Sequence, residues 1–80
     1  MLTAGPQLRA ARAMAGLDRE ELAKLSGVTT FTIRRLEGMD GPLRAHTTTV
    51  SNLQRALEAA GVEFTNGDRP GVRMREPTAA

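Results

Sequence analysis

Residues 17–37 read LDREELAKLSGVTTFTIRRLE, and this stretch contains the start and end signals of two short helices. Asp18 is a favourable helix N-cap, and Glu21 stands at the reciprocal position of a capping box. Gly27 ends this helix after roughly two turns. Thr29 is a second favourable N-cap and starts the next helix soon after the glycine. The stretch therefore predicts two capped helices separated by a tight turn.

Helical patterns also flank this pair of helices. Residues 6–15 place apolar side chains on one helix face, and Thr3 is the predicted N-cap of that helix. After a loop rich in glycine, proline and arginine, Thr47 or Thr48 caps a further helix that closes at Gly61. The apolar stripe of this last helix consists of Val50, Leu53, Leu57 and Ala60.

The C-terminal residues change from a helical period to a strand period. Residues 62–65 and 72–75 alternate apolar and polar side chains, and residues 66–71 between them favour a turn. We therefore predict an all-α fold of four to five short helices, followed by a short pair of β-strands. The predicted organisation is a helical domain, a β extension and a disordered tail, at residues 1–61, 62–76 and 77–80.

The composition of the 80-residue chain excludes several classes of site. Cysteine is absent, which excludes disulfides, thiolate zinc sites and cysteine nucleophiles. His46 is the single histidine, and there is no glycine-rich phosphate loop, so we expect no catalytic residue, no metal and no cofactor. No signal peptide or membrane-length apolar run is visible, so we expect the interior of a cell and no membrane partner.

The second helix of the central pair separates its apolar and polar residues onto opposite faces. Ile33 and Leu36 define the inward face. The outward face carries Thr30, Phe31, Arg34 and Arg35. Arginine can donate two hydrogen bonds to guanine, and an aromatic ring can contact the thymine methyl group, so this face predicts contact with DNA bases. The alternatives are that Phe31 packs against the preceding helix and that the arginines form ordinary solvated surface.

Two short helices joined by a tight turn make a helix-turn-helix unit, whose second helix enters the major groove of DNA. The sequence resembles the phage-repressor-like helix-turn-helix regulators of the Cro and XRE type. Residues 7–57 carry the resemblance, through QLRAAR at 7–12, LDREELA at 17–23, SGVT at 26–29 and TIRRLE at 32–37. It implies a lambda-repressor-like arrangement of the helices around the central unit.

The resemblance also implies roles for individual residues. Thr30, Phe31 and Arg35 match positions that contact bases, although the family often has a polar residue where this chain has Phe31. Residues at positions near DNA phosphates are Arg19, Thr29, Thr32 and Arg44. Arg12 and Glu37 match a structural pair that joins the first helix to the end of the third.

These features together predict sequence-specific binding to double-stranded DNA and regulation of transcription in the cytoplasm, at the nucleoid. We expect a homodimer on a palindromic site, because two recognition helices must meet major grooves about 34 Å apart. The residues predicted to form the dimer contact are Val62, Phe64, Val72 and Met74. The alternative for the hairpin is that it only covers its own helices. The alternative function is an antitoxin or adaptor that binds a protein partner through a free strand edge.

Overall fold

The computed structural model describes residues 1–66 and 69–75 of the chain. These residues form four helices followed by one antiparallel pair of strands. The elements are α1 (Gly5–Met14), α2 (Arg19–Ser26), α3 (Thr30–Glu37), α4 (Thr47–Ala59), β1 (Val62–Thr65) and β2 (Gly71–Met74). The mostly helical fold and the C-terminal strand pair agree with the sequence-based prediction. The tail predicted at residues 77–80 lies outside the described residues.

Aliphatic side chains from the N-terminal segment, from all four helices and from β1 form a single core. The fully buried members are Leu2, Leu8, Leu22, Ile33, Leu36, Leu53, Leu57 and Val62. Burial of one such side chain stabilises a fold by about 1.5–3 kcal/mol, so this cluster supplies most of the favourable free energy. Leu2 precedes every helix and belonged to no periodic pattern in the sequence, yet only 2% of it is exposed.

The caps of α2 and α3 are those predicted. The Asp18 carboxylate accepts a hydrogen bond from the Glu21 N–H at 2.7 Å, and the Glu21 carboxylate accepts one from the Asp18 N–H at 3.0 Å. Gly27 ends α2 with a φ of 77°, a left-handed conformation that favours glycine. The Thr29 hydroxyl then accepts a hydrogen bond from the Thr32 N–H at 3.2 Å. The connection between the two helices is therefore fixed by local hydrogen bonds at both ends.

The predicted N-cap of α1 is wrong, because the side chain of Gln7 takes over that role. Ala4 is the N-cap residue, and the Gln7 side-chain oxygen accepts from the N–H groups of Thr3 at 2.7 Å and Ala4 at 3.3 Å. The Gln7 side-chain nitrogen donates to the carbonyls of Met1 at 3.1 Å and Gly71 at 3.0 Å. This buried amide therefore joins the N-terminal segment, α1 and β2.

The predicted cap of α4 is also wrong. His46 is the N-cap residue, and its side chain makes no capping hydrogen bond. Thr47 and Thr48 instead lie inside the first turn of the helix. The Val50 N–H donates to the His46 carbonyl at 3.1 Å, and this is the first hydrogen bond of the helix. His46 is therefore the capping position, and both threonines follow it inside the helix.

The hairpin packs against α1 and α4 of its own chain. Only 1% of Val62 is exposed, and Phe64 and Val72 are partly buried against the core. Met74 differs from these three because 41% of it is exposed. Most of the apolar face that we predicted for dimerisation thus covers the helices of the same chain, which is the arrangement of the alternative prediction.

The start of α1 lies directly against the end of α3. A Cβ atom added to Gly5 would overlap the carbonyl oxygen of Met39 and lie 2.6 Å from that of Leu36. The segment before α1 also pairs with the loop after α3, where the Leu43 N–H donates to the Thr3 carbonyl at 2.9 Å. Glycine is therefore required at position 5 by the close approach of two backbones.

Gly5→Ala is expected to lower the free energy of unfolding by about 1–3 kcal/mol or more, because the methyl group meets rigid backbone oxygens. Gly38→Ala is the matched control. Its added Cβ would lie 3.6 Å from its nearest neighbours, and its φ of −83° suits any residue, so we expect little change or a slight gain. Urea unfolding, monitored by circular dichroism, measures the stability of both variants. Equal stability of the two would contradict the close approach of the backbones at Gly5.

Candidate nucleic-acid interface

Helix α3 has one face in the core and the opposite face in solvent. It buries Ile33, Leu36 and Glu37, whereas Arg34 and Arg35 are exposed. Phe31 is 73% exposed, so the ring does not pack against α2 as a core residue would. The outward face predicted from the helical period is therefore the face that the fold leaves accessible.

Two clefts flank this outward face, and we name them by the helix on their far side. The α2-side cleft has a volume of about 380 Å³ and is lined by Arg12, Asp18, Arg19, Glu20, Thr30 and Arg34. The α4-side cleft has a volume of about 510 Å³ and is lined by Thr32, Arg35, Arg44, Ala45, His46 and Thr49. The neighbouring residues Arg34 and Arg35 thus face different clefts, and Phe31 lines neither.

The lining of the α4-side cleft is positively charged and contains no acidic residue. Arg35 and Arg44 line it together with His46, Thr32 and Thr49. Guanidinium and hydroxyl groups are common donors to phosphate oxygens in protein–DNA complexes. The cleft therefore has the chemistry of a site for a phosphate diester.

The two threonines predicted to lie near phosphates are joined by hydrogen bonds at the start of α3. The Thr29 hydroxyl accepts from the Thr32 N–H at 3.2 Å, and the two hydroxyl oxygens lie 3.0 Å apart and share a hydrogen bond. Thr32 lines the α4-side cleft and Thr29 lines neither cleft, so Thr32 is the better placed of the two.

A buried carboxylate holds two of the three arginines of the α2-side cleft, Arg12 and Arg19. Glu37 has a side chain that is 2% exposed, and it accepts hydrogen bonds from Arg12 Nε at 2.6 Å and from Arg12 Nη2 at 3.1 Å. Arg12 Nη1 also donates to the Leu17 carbonyl at 3.1 Å. The hydrogen bond with Glu37 raises the pKa of Arg12 above its ordinary value. The structure thus brings together the two residues that the resemblance implied to be a structural pair.

Arg19 is a third member of this ion-pair cluster. Its Nε donates to Glu37 Oε1 at 3.2 Å, and its side chain is 39% exposed. Asp18 and Glu20 line the same cleft, so the positive charge on this side is largely balanced. Arg19, which we predicted to contact phosphate, therefore has part of its guanidinium in an intramolecular ion pair and part at the surface.

His46 is the residue of this surface that sequence reasoning missed. The sequence analysis assigns it no contact with DNA, but the path of the loop brings it into the α4-side cleft with Arg35 and Arg44. The only signal in the sequence was its position between Arg44 and a run of three threonines.

Within residues 1–66 and 69–75, no three acidic or histidine side chains gather as metal ligands would. None of the helices in these ranges has the length and apolar character needed to cross a membrane. Comparison of the chain with protein-family models and with curated protein sequences gives no match. Its function is therefore inferred from the residues and geometry of the α3 surface.

Arg12→Ala and Glu37→Ala are each expected to lower the free energy of unfolding by more than the ~0–1 kcal/mol of an exposed pair, because Arg12→Ala leaves the buried Glu37 with Arg19 alone and Glu37→Ala leaves the largely buried Arg12 without its carboxylate. A double-mutant cycle should give a coupling energy above about 1 kcal/mol, the upper end for exposed pairs. If Glu37→Ala does not fold, Glu37→Gln replaces it in the cycle, because glutamine keeps the shape of the side chain.

The matched control for this cycle is Arg73 with Glu63, an ion pair at 2.8 Å whose side chains are 71% and 40% exposed. Its coupling energy should lie within about 0–1 kcal/mol, because solvent screens the pair. Equal coupling in the two cycles would mean that burial adds nothing to the Arg12–Glu37 pair.

Proposed function

We propose that this chain binds double-stranded DNA in a sequence-specific manner and regulates transcription, with α2 and α3 as its helix-turn-helix unit. The observation that carries the proposal is the presentation of α3. Ile33 and Leu36 hold the helix against the core, while its exposed face lies between two clefts that contain arginines. The resemblance of residues 7–57 to phage-repressor-like regulators supports the same function.

The dimensions of α3 suit this role. An α-helix with its side chains is about 10–12 Å in diameter, and the major groove of B-DNA is about 12 Å wide and admits it. The N-terminal residues of such a helix contact base edges, so we assign base contacts to its first turn and to its outward arginines. The assigned residues are Thr30, Phe31, Arg34 and Arg35.

Phosphate contacts are assigned to the residues beside the helix. Arg44 and Thr32 line the α4-side cleft, where no acidic residue competes for their donors. Arg19 and Thr29 are assigned the same role at the N-terminal ends of α2 and α3. Contacts of this kind set the position of a protein on the duplex and supply most of the salt-dependent affinity.

Rigid support of α3 favours precise contact with bases. The Glu37 carboxylate joins α3 to Arg12 of α1 and Arg19 of α2. The capping hydrogen bonds on either side of Gly27 fix the turn between the two helices. A helix supported in this way loses little conformational entropy on binding, which is the usual advantage of a preorganised interface.

We further propose that two copies bind a palindromic site whose half-sites lie about 34 Å apart, the spacing of successive major grooves. Val62, Phe64 and Val72 pack against their own helices, and of the four residues predicted for dimerisation Met74 is the most exposed. The dimer contact should therefore lie largely outside the inner face of the hairpin. Sedimentation of the free protein and of its complex with a palindromic duplex measures the stoichiometry.

The affinity for duplex DNA is expected to fall steeply as salt rises, because arginines that contact phosphates displace condensed counterions. Arg44→Gln should reduce the magnitude of the slope of log Kobs against log salt by about one unit. Arg55→Gln is the matched control. It removes the same charge, but Arg55 lies on α4 and lines a different cleft, together with Met1 and Glu58. Fluorescence anisotropy with a random duplex at several salt concentrations gives each slope.

A flat salt dependence for the unmodified protein would contradict DNA binding. Equal effects of Arg44→Gln and Arg55→Gln would contradict the assignment of the α4-side cleft to phosphate.

Arg35→Gln separates base contact from phosphate contact within the α4-side cleft. A guanine contact that uses two hydrogen bonds discriminates by about 1–3 kcal/mol, so the variant should weaken a selected site far more than a random duplex. Arg44→Gln should weaken both duplexes by similar factors. If Arg35→Gln also weakens both equally, Arg35 contacts only the backbone of the DNA.

A further inference from the structure

Phe31 is an exposed aromatic residue at the second position of α3. It is 73% exposed, whereas Phe64, the other aromatic residue of the chain, packs against the core. A single exposed apolar side chain is common on protein surfaces and needs no explanation by itself. The position of Phe31 is the informative feature, because it lies on the outward face of α3 between Arg34 and Arg35, which line opposite clefts.

The charges around Phe31 indicate what covers the ring. Arg34 lies toward one side, in a cleft whose lining also carries Asp18 and Glu20. Arg35 and Arg44 lie toward the other side, where the lining contains no acidic residue. An apolar ring with an arginine on each side is complementary to an apolar group that has anionic groups on both sides. The floor of the major groove, between the two phosphate backbones, is such a surface, and its apolar groups are the methyl groups at C5 of pyrimidines.

We infer that Phe31 recognises a C5-methyl group, so that this protein reads thymine and 5-methylcytosine alike at one position of its binding site. The inference rests on the proposed DNA-binding function. A phenyl ring has no hydrogen-bond donor or acceptor, and it cannot distinguish the O4 of thymine from the N4 amino group of cytosine. The gain from contact comes from the methyl group, which both bases carry at C5 and which uracil and unmodified cytosine lack.

The expected size of the effect follows from the burial of one methyl group. Removal of a single methyl or methylene group from an apolar contact changes an equilibrium constant by about fourfold. At the position that Phe31 contacts, replacement of thymine by uracil should weaken binding by about this factor. Replacement of cytosine by 5-methylcytosine at the same position should strengthen binding by a similar factor, through contact with the same ring.

The experiment begins with selection of binding sites from a random duplex library by the full chain. Each thymine of the selected duplex is then replaced by uracil, one at a time, and binding is measured by anisotropy. We expect one position in each half-site to lose about fourfold. At that position, a duplex with 5-methylcytosine should bind about fourfold more tightly than one with cytosine.

Phe31→Ala should abolish both differences, because the ring that makes the contact is gone. Leu25→Ala is the matched control: Leu25 is also an exposed apolar residue, at 61%, but it lies on α2 and lines neither cleft. That variant should keep the full dependence on the methyl group. Because both side chains are exposed, we expect both variants to fold. Far-ultraviolet circular dichroism of each variant verifies this.

The failure of this inference can be distinguished from the failure of the proposed function. If duplexes bind with a steep salt dependence but uracil has no effect at any position, or if Phe31→Ala keeps the methyl dependence, the inference is overturned and DNA binding stands. If no duplex binds, both are overturned. If Phe31→Ala instead abolishes self-association of the free protein, the ring belongs to a contact between copies and the inference is overturned.

Discussion

A buried carboxylate determines how the first three helices are arranged. Glu37 is at the C-terminal end of α3, its side chain is 2% exposed, and an ionised carboxylate there is tolerable only with charged partners. Arg12 of α1 and Arg19 of α2 supply those partners through hydrogen bonds of 2.6–3.2 Å. Each of the three helices therefore carries one member of the cluster, and a shift of any helix would break at least one hydrogen bond to the buried carboxylate.

The second constraint is the small size of the domain. A chain of 80 residues buries a limited fraction of its surface, so the segments before and after the helices must add to the core. Leu2 does so from the N-terminal side and Val62 from β1. Gln7 satisfies the backbone groups that this arrangement buries, and among the described residues no buried side-chain polar atom lacks a hydrogen-bond partner.

The sequence was most informative where structure depends on near neighbours. The boundaries of α2 and α3 follow from Asp18, Gly27 and Thr29, whose hydrogen bonds span at most four residues, and the outward face of α3 follows from its apolar period. The start of α1 could not be predicted in this way, because Gln7 also bonds to Gly71, which is 64 residues away. The α4-side cleft likewise depends on the path of the loop after α3, which no local pattern specifies.

The two edges of the α3 surface differ in charge, and this difference follows from the fold. On the α2 side, the caps of α2 and the buried Glu37 place carboxylates beside the arginines, whereas the lining of the α4-side cleft contains none. Under the proposed function, net attraction to a phosphate backbone is therefore concentrated on the α4 side. The α2 side contributes Arg12 and Arg19, whose positions are fixed by ion pairs with Glu37, so under the same proposal it favours orientation more than affinity. The same carboxylate that stabilises the helices thereby makes the charge of the surface asymmetric.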